Sequence, residues 1–197
     1  MTLAALTEIP IVGILGPRCF QRLETEHKRC RPWIAFLARK DESFPTTKLS
    51  TNPASNNSIS MKRLLILEDS PERVRRFRSA MAEAGNTEVL IWDSAPEMIK
   101  NLPKHLHHTS LISLDHDLIP ESSSAVDPGC GIDVCAYLAT LPPVCPVILH
   151  TANEEAAWAM LFKLSAAGWE ADWVRHEQVG ELWIGRLWAP KVKSYFR

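Results

Sequence analysis

The sequence lacks a dominant charge: its formal net charge is -1 and its isoelectric point lies near 6.7. A chain so balanced presents no broad basic face for a phosphate backbone, which argues against an extended nucleic-acid surface and leaves a small phosphorylated ligand open. A cysteine framework is also missing. Cys19, Cys30, Cys130, Cys135 and Cys145 are odd in number and scattered, with neither a CxxC nor a Cys/His zinc spacing. Free, buried thiols fit a reducing, cytoplasmic setting. No apolar run reaches the ~18 residues of a membrane span. Glu8, Pro10 and Pro17 interrupt the short apolar patch at the amino end, and no basic stretch precedes it, which excludes a secretory signal.

Large apolar side chains are scarce in residues 41–60, DESFPTTKLSTNPASNNSIS, where Ser, Thr, Asn and Pro dominate. Such a segment cannot offset the entropy of ordering and reads as a linker. Residues 1–40 are basic, with one possible helix around Trp33 to Leu37. Residues 1–60 are therefore expected to be a disordered or basic extension plus linker, and residues 61–197 the folded domain. MKRLLILEDS at Met61 resembles a natural start.

From Met61 onward, strand and helix signals alternate. Leu64 to Leu67 is a continuous apolar run that suits a buried parallel strand. Ser70 caps a helix with Pro71 at its first position, carrying Val74, Phe77 and Met81 until Gly85. Val89 to Trp92 is a second strand, and Ser94 and Pro96 start a short helix to Leu102. Leu111 to Leu114 forms a third strand, and a helix over about Ile132 to Leu141 ends at Pro142 and Pro143. Val147 to Leu149 is a fourth strand, Asn153 caps a helix reaching Gly168, and Asp172 to Arg175 is a fifth strand. The tail from Gln178 is expected to end in a helix covering the sheet, with Trp183 and Trp188 as packing groups. Crossovers of this length imply an open parallel sheet with helices on both faces. Ligands of such sheets bind beyond the carboxyl ends of the strands.

Those strand ends carry the chemistry. Strand one ends in Glu68 and Asp69, strand three in Asp115, His116 and Asp117, and strand four in His150, Thr151 and Asn153. Crowded carboxylates resist ionisation unless a cation or proton lies between them. Mg²⁺, which takes oxygen ligands and keeps waters for a phosphate, suits them, and histidines add transition-metal ligation or proton transfer. Each group also has a plainer reading. Asp69 would favour a helix dipole, His150 could be a satisfied core histidine, Thr151 could bond a nearby amide, and Asn153 is explained as an N-cap. Asp115, His116 and Asp117 are more specific, because a turn needs only one polar residue. His105, His107 and His108 read as a solvated connection.

At these residues the chain resembles response-regulator receiver domains over most of residues 61–176. LLILEDS looks like the first strand and its acid pair, LISLDHD like the third strand with a phosphoacceptor at Asp115, and VILHTA like the fourth with its hydroxyl residue at Thr151. The resemblance implies a flavodoxin-like three-layer α/β sandwich with a five-stranded parallel sheet of order 2-1-3-4-5. A receiver lysine is missing after strand five, where Arg175 and His176 stand.

The histidines of LDHDL and of the HxxN from His150 to Asn153 are more similar to the cyclic-phosphate-processing receiver family. That likeness implies a metal-dependent phosphoesterase acting on a cyclic nucleotide or a cyclic phosphate at an RNA end. Glu68, Asp69 and Asp115 would hold Mg²⁺ or Mn²⁺, His116, Asp117 and His150 would be catalytic, and Thr151 and Asn153 would bind phosphate. The competing readings are a receiver phosphorylated on Asp115 and a catalytically silent interaction module.

Overall fold

The computed structural model describes residues 61–83, 85–119, 126–176 and 180–196, so the expected extension and linker lie outside the described residues. Strand β1 (Lys62–Leu67) is fully buried from Leu64 to Leu67. It lies between β2 (Thr87–Trp92) and β3 (Leu111–Leu114), and β4 (Val147–Leu149) and β5 (Ala171–Trp173) continue the sheet beyond β3. The order is β2-β1-β3-β4-β5, and all four pairings are parallel. The connecting helices are α1 (Pro71–Ala82), α2 (Ala95–His105), α3 (Gly131–Leu138) and α4 (Glu154–Ala166). Among the described residues no helix is long and apolar enough to cross a membrane.

Successive strand residues point to opposite faces, and the core divides accordingly. Leu65, Leu67, Ile112, Leu114, Val147 and Leu149 pack with Met98 of α2, Val134 and Leu138 of α3, and Met160 and Leu164 of α4. Leu64, Ile66, Leu111 and Ile148 face the other way, onto Phe77 and Met81 of α1 and the carboxyl-terminal segment. That segment holds a π-helical turn (Ile184–Trp188) and α5 (Ala189–Tyr195), so a helix does cover the sheet as expected. Trp183 and Trp188 are buried against Phe77, with ring centroids 5.7 and 4.4 Å away.

Several element ends differ from the sequence reading. Helix α2 runs through Pro103 to His105, because a proline in the last turn forfeits a single intrahelical bond, and Leu106 N–H still reaches Leu102 O. His105 therefore ends a helix, its ring 6.0 Å from Trp92, while His107 and His108 are exposed on a short 3-10 turn. Helix α3 stops at Leu138, since the amides of Thr140 and Leu141 tighten onto carbonyls three residues back. Strand β5 is Ala171–Trp173, limited by its three-residue pairing with β4. Arg175 lies beyond it, exposed, with its guanidinium 4.4 Å from the Trp173 ring centroid.

Candidate metal and phosphate site

Register assembles the site. Leu67 pairs with Leu114, and Leu114 with Leu149, so the next residues, Glu68, Asp115 and His150, leave three adjacent strands side by side. The ladder carries past the strands: Asp115 N–H donates to Leu67 O at 3.1 Å and His150 N–H to Leu114 O at 2.9 Å. All three residues are buried. One donor atom from each lies within 4.8 Å of the others, so this cluster could hold a metal ion.

Helix α1 supplies the counter-charge. Ser70 caps it, accepting from Arg73 N–H, and Pro71 begins it. One turn in, the Arg73 guanidinium lies 3.0 Å from Glu68 Oε1, 3.0 Å from Asp115 Oδ2 and 3.6 Å from Asp69 Oδ1. Burial nevertheless pushes the Glu68 carboxyl up to about 7 and that of Asp115 up to about 6, against the pull of Arg73. His150, also buried, is pushed down to about 3 and is neutral. Its Nε2 lies 3.6 Å from Glu68 Oε2, too far for a hydrogen bond, and with the imidazole uncharged this contact is not an ion pair. Neither atom has a hydrogen-bond partner. Two facing, unsatisfied buried atoms on a carboxylate and an imidazole fit a shared cation, and the oxygen, oxygen and nitrogen donors suit a divalent metal.

The other expected residues are placed differently. Asp69 stands at the rim, where its Oδ2 accepts from Ile119 N–H at 2.7 Å and fastens the segment after β3. His116 is fully buried but is not part of the Glu68, Asp115 and His150 cluster. Both of its ring nitrogens lack hydrogen bonds, and Nε2 is 3.7 Å from Asp117 Oδ1. Burial lowers the His116 pKa, so this too is a contact of a neutral ring. Asp117 is partly exposed. Thr151 Oγ1 accepts from Asn153 N–H, and Asn153 Oδ1 caps α4 by accepting from Ala156 N–H. Behind this loop α3 approaches closely: a Cβ on Gly131 would stand 2.1 Å from Asp115 O, so the position requires glycine.

Three residues of this environment escape the sequence reading. Arg73 carries a usable signal, four residues after Asp69 in the first turn of a capped helix. Ser113 is the single polar residue of the buried LISL strand, and its hydroxyl lies 2.7 Å from His150 Nδ1. Trp188 donates from Nε1 to Ser113 Oγ at 2.8 Å, a contact with no local signature.

The model of the cyclic-phosphate processing receiver domain matches residues 63–166. The chain belongs to that family. No curated protein shows significant sequence similarity to it. Among solved structures, it is similar to a response regulator receiver domain from Rhodospirillum rubrum, with TM-score 0.51 and 16% identity over 68% of this chain and 92% of that one. It is also similar to the phosphorylated cyanobacterial phytochrome response regulator RcpA, with TM-score 0.52 and 17% identity over the same shares. A CheY-like receiver domain from Methanospirillum hungatei gives TM-score 0.50 and 21% identity over 68% and 93%. These likenesses establish the flavodoxin-like receiver fold. The family match ends before β5 and the carboxyl-terminal segment that supplies Trp183 and Trp188.

Proposed function

We propose that the domain is a metal-dependent phosphoesterase that opens a cyclic phosphate, carried by a nucleotide or by an RNA end. The facing, unsatisfied Glu68 Oε2 and His150 Nε2 beside Asp115 carry this reading. Glu68, Asp115 and His150 hold Mn²⁺ or Mg²⁺, with Asp69 at the rim. When bound, the metal supplies Lewis-acid polarisation of the phosphate and a more acidic water. His150 thus acts as a ligand rather than as the proton carrier expected from sequence.

The remaining residues divide the work. Arg73, no longer needed to neutralise the carboxylates, is free to pair with phosphate oxygens, a role in which arginine is strong because it donates in pairs. Thr151 and Asn153 border the same strand end. Opening the ring adds water oxygen to phosphorus, breaks one ester P–O bond and delivers a proton to the departing oxygen. Asp117 is the accessible group for that proton, and His116 lies behind it.

The likeness to receivers offers the competing reading of phosphorylation on Asp115. It fits less well, because Arg175 and His176, rather than a lysine, follow β5.

Incubating the full chain with Mn²⁺ and a panel of cyclic nucleotides of both ring sizes, in parallel with acetyl phosphate, separates the two. The proposal expects repeated turnover that a chelator abolishes. Asp117→Asn should lower the rate by ~10² to 10⁴ at unchanged Mn²⁺ affinity. Stoichiometric labelling of Asp115 with no turnover would overturn it.

A further inference from the structure

The hydroxyl of Ser113 lies in a fully buried chain of three side chains: Trp188 Nε1 to Ser113 Oγ at 2.8 Å, then Ser113 Oγ to His150 Nδ1 at 2.7 Å. Indole N–H can only donate, so Trp188 takes one lone pair of the serine oxygen. One lone pair and one hydrogen remain, and both can meet Nδ1. If Ser113 accepted from His150 as well as from Trp188, its own hydrogen would be left without an acceptor among the described residues, at a cost. Donation from Ser113 to Nδ1 pairs the serine hydrogen and places the imidazole hydrogen on Nε2, 3.6 Å from Glu68 Oε2, where the buried carboxyl attracts it. A metal on Nε2 needs the opposite tautomer, with hydrogen on Nδ1, and Ser113 can then accept it on its second lone pair.

We propose that Ser113, oriented by Trp188, is the positioning residue that sets the tautomer of His150 and reverses its hydrogen bond when a metal binds. The ring itself has little freedom to turn instead. Phe77 meets it edge-on at 5.2 Å and Trp183 stacks beside it at 5.9 Å, while Trp183 is backed by His176 at 4.1 Å. The amide of His150 is fixed to Leu114 O and its carbonyl is 3.1 Å from His176 Nε2. The carboxyl-terminal segment, outside the span the family model matches, is therefore part of the functional site. Groups hydrogen-bonded to a ligating imidazole fix its orientation, and their loss ordinarily weakens metal binding 10- to 100-fold.

The reversal rests on the metal-site reading; the resting tautomer does not. Nitrogen-15 NMR of the full chain labelled at histidine reads both, with His150 identified by the signal lost in His150→Gln. Without metal, Nε2 should be protonated and Nδ1 not; one equivalent of Zn²⁺, a diamagnetic probe, should exchange the two. Ser113→Ala should abolish the tautomer preference and weaken Zn²⁺ binding about 10- to 100-fold. Ser113→Thr, which keeps the hydroxyl, should restore both, and Trp188→Phe should blur the preference while Ser113 remains.

A wild-type resting state protonated on Nδ1 would overturn the proposal, and that measurement requires no variant to fold. An unchanged tautomer and affinity in Ser113→Ala would do the same. Failure of Zn²⁺ to bind would overturn the metal reading and the reversal with it, while the resting tautomer would still decide whether Ser113 and Trp188 set the ring.

Discussion

The two faces of the sheet are built from the same strands to different ends. On one face the inward residues of β1, β3 and β4 are aliphatic throughout: Leu65, Leu67, Ile112, Leu114, Val147 and Leu149. On the other, Leu64, Ile66, Leu111 and Ile148 give way to Ser113 and then, beyond the strand ends, to Glu68, Asp115 and His150. The first face lowers the free energy of the fold by removing apolar surface from water. The second buries two carboxylates and an imidazole whose pKa values show the cost of desolvation. Buried groups with pKa values so shifted cluster at functional sites, which directs attention to this face.

Substitution on the two faces should separate stability from binding. Leu67→Ala, on the aliphatic face, should cost about 2 to 5 kcal/mol in denaturant unfolding while the folded fraction keeps its metal affinity. Weakened metal binding in that folded fraction would show that the two faces are not independent.

Glu68→Gln should do the reverse. Because the folded pKa of Glu68, about 7, lies above its ordinary value of 4.5, the folded state binds the proton more tightly. Stability from this group is intact below about pH 4.5 and is lost as pH rises toward 7. At pH 8 the metal-free Gln variant should therefore be more stable than the wild type, on the order of 1 to 3 kcal/mol, with no further gain from Mn²⁺. Thermal unfolding across pH 4 to 8 checks this, and a variant less stable at pH 8 would mean that Arg73 outweighs desolvation.

Arg73→Gln probes the counter-charge. It should destabilise the metal-free chain above pH 7 by about 1 to 3 kcal/mol, because two buried carboxylates lose their cation. It should also enlarge the rise in melting temperature that Mn²⁺ produces, since the metal no longer displaces a guanidinium. His107→Ala, at an exposed position of the 3-10 turn, should change stability by less than about 0.5 kcal/mol.

The strands and their order were legible in the sequence because β1, β3 and β4 are uninterrupted apolar runs, and a buried parallel strand leaves that pattern. The ionisable strand ends were legible for the same reason: Glu68, Asp115 and His150 each interrupt such a run. The relation between adjacent residues was harder to see. Asp115 and His116 are neighbours in sequence, yet only Asp115 joins the cluster with Glu68 and His150, and counting alternation from Leu111 would have paired Asp115, not His116, with the Ser113 face. Helix ends shifted where a proline in the last turn cost only one bond, as at Pro103, or where amides found partners three residues back, as at Thr140. Trp188 was legible as a packing group, but its hydrogen bond to Ser113 was not, since the two meet across 75 residues.

The most direct test of the account is a calorimetric titration of the full chain with Mn²⁺ at a pH above 7, beside Asp115→Asn and His150→Gln. The account predicts a single site in the wild type, no detectable binding in Asp115→Asn, and affinity at least about tenfold weaker in His150→Gln. Wild-type affinity in both variants would contradict it, for the buried cluster at the strand ends would then not be where the metal binds.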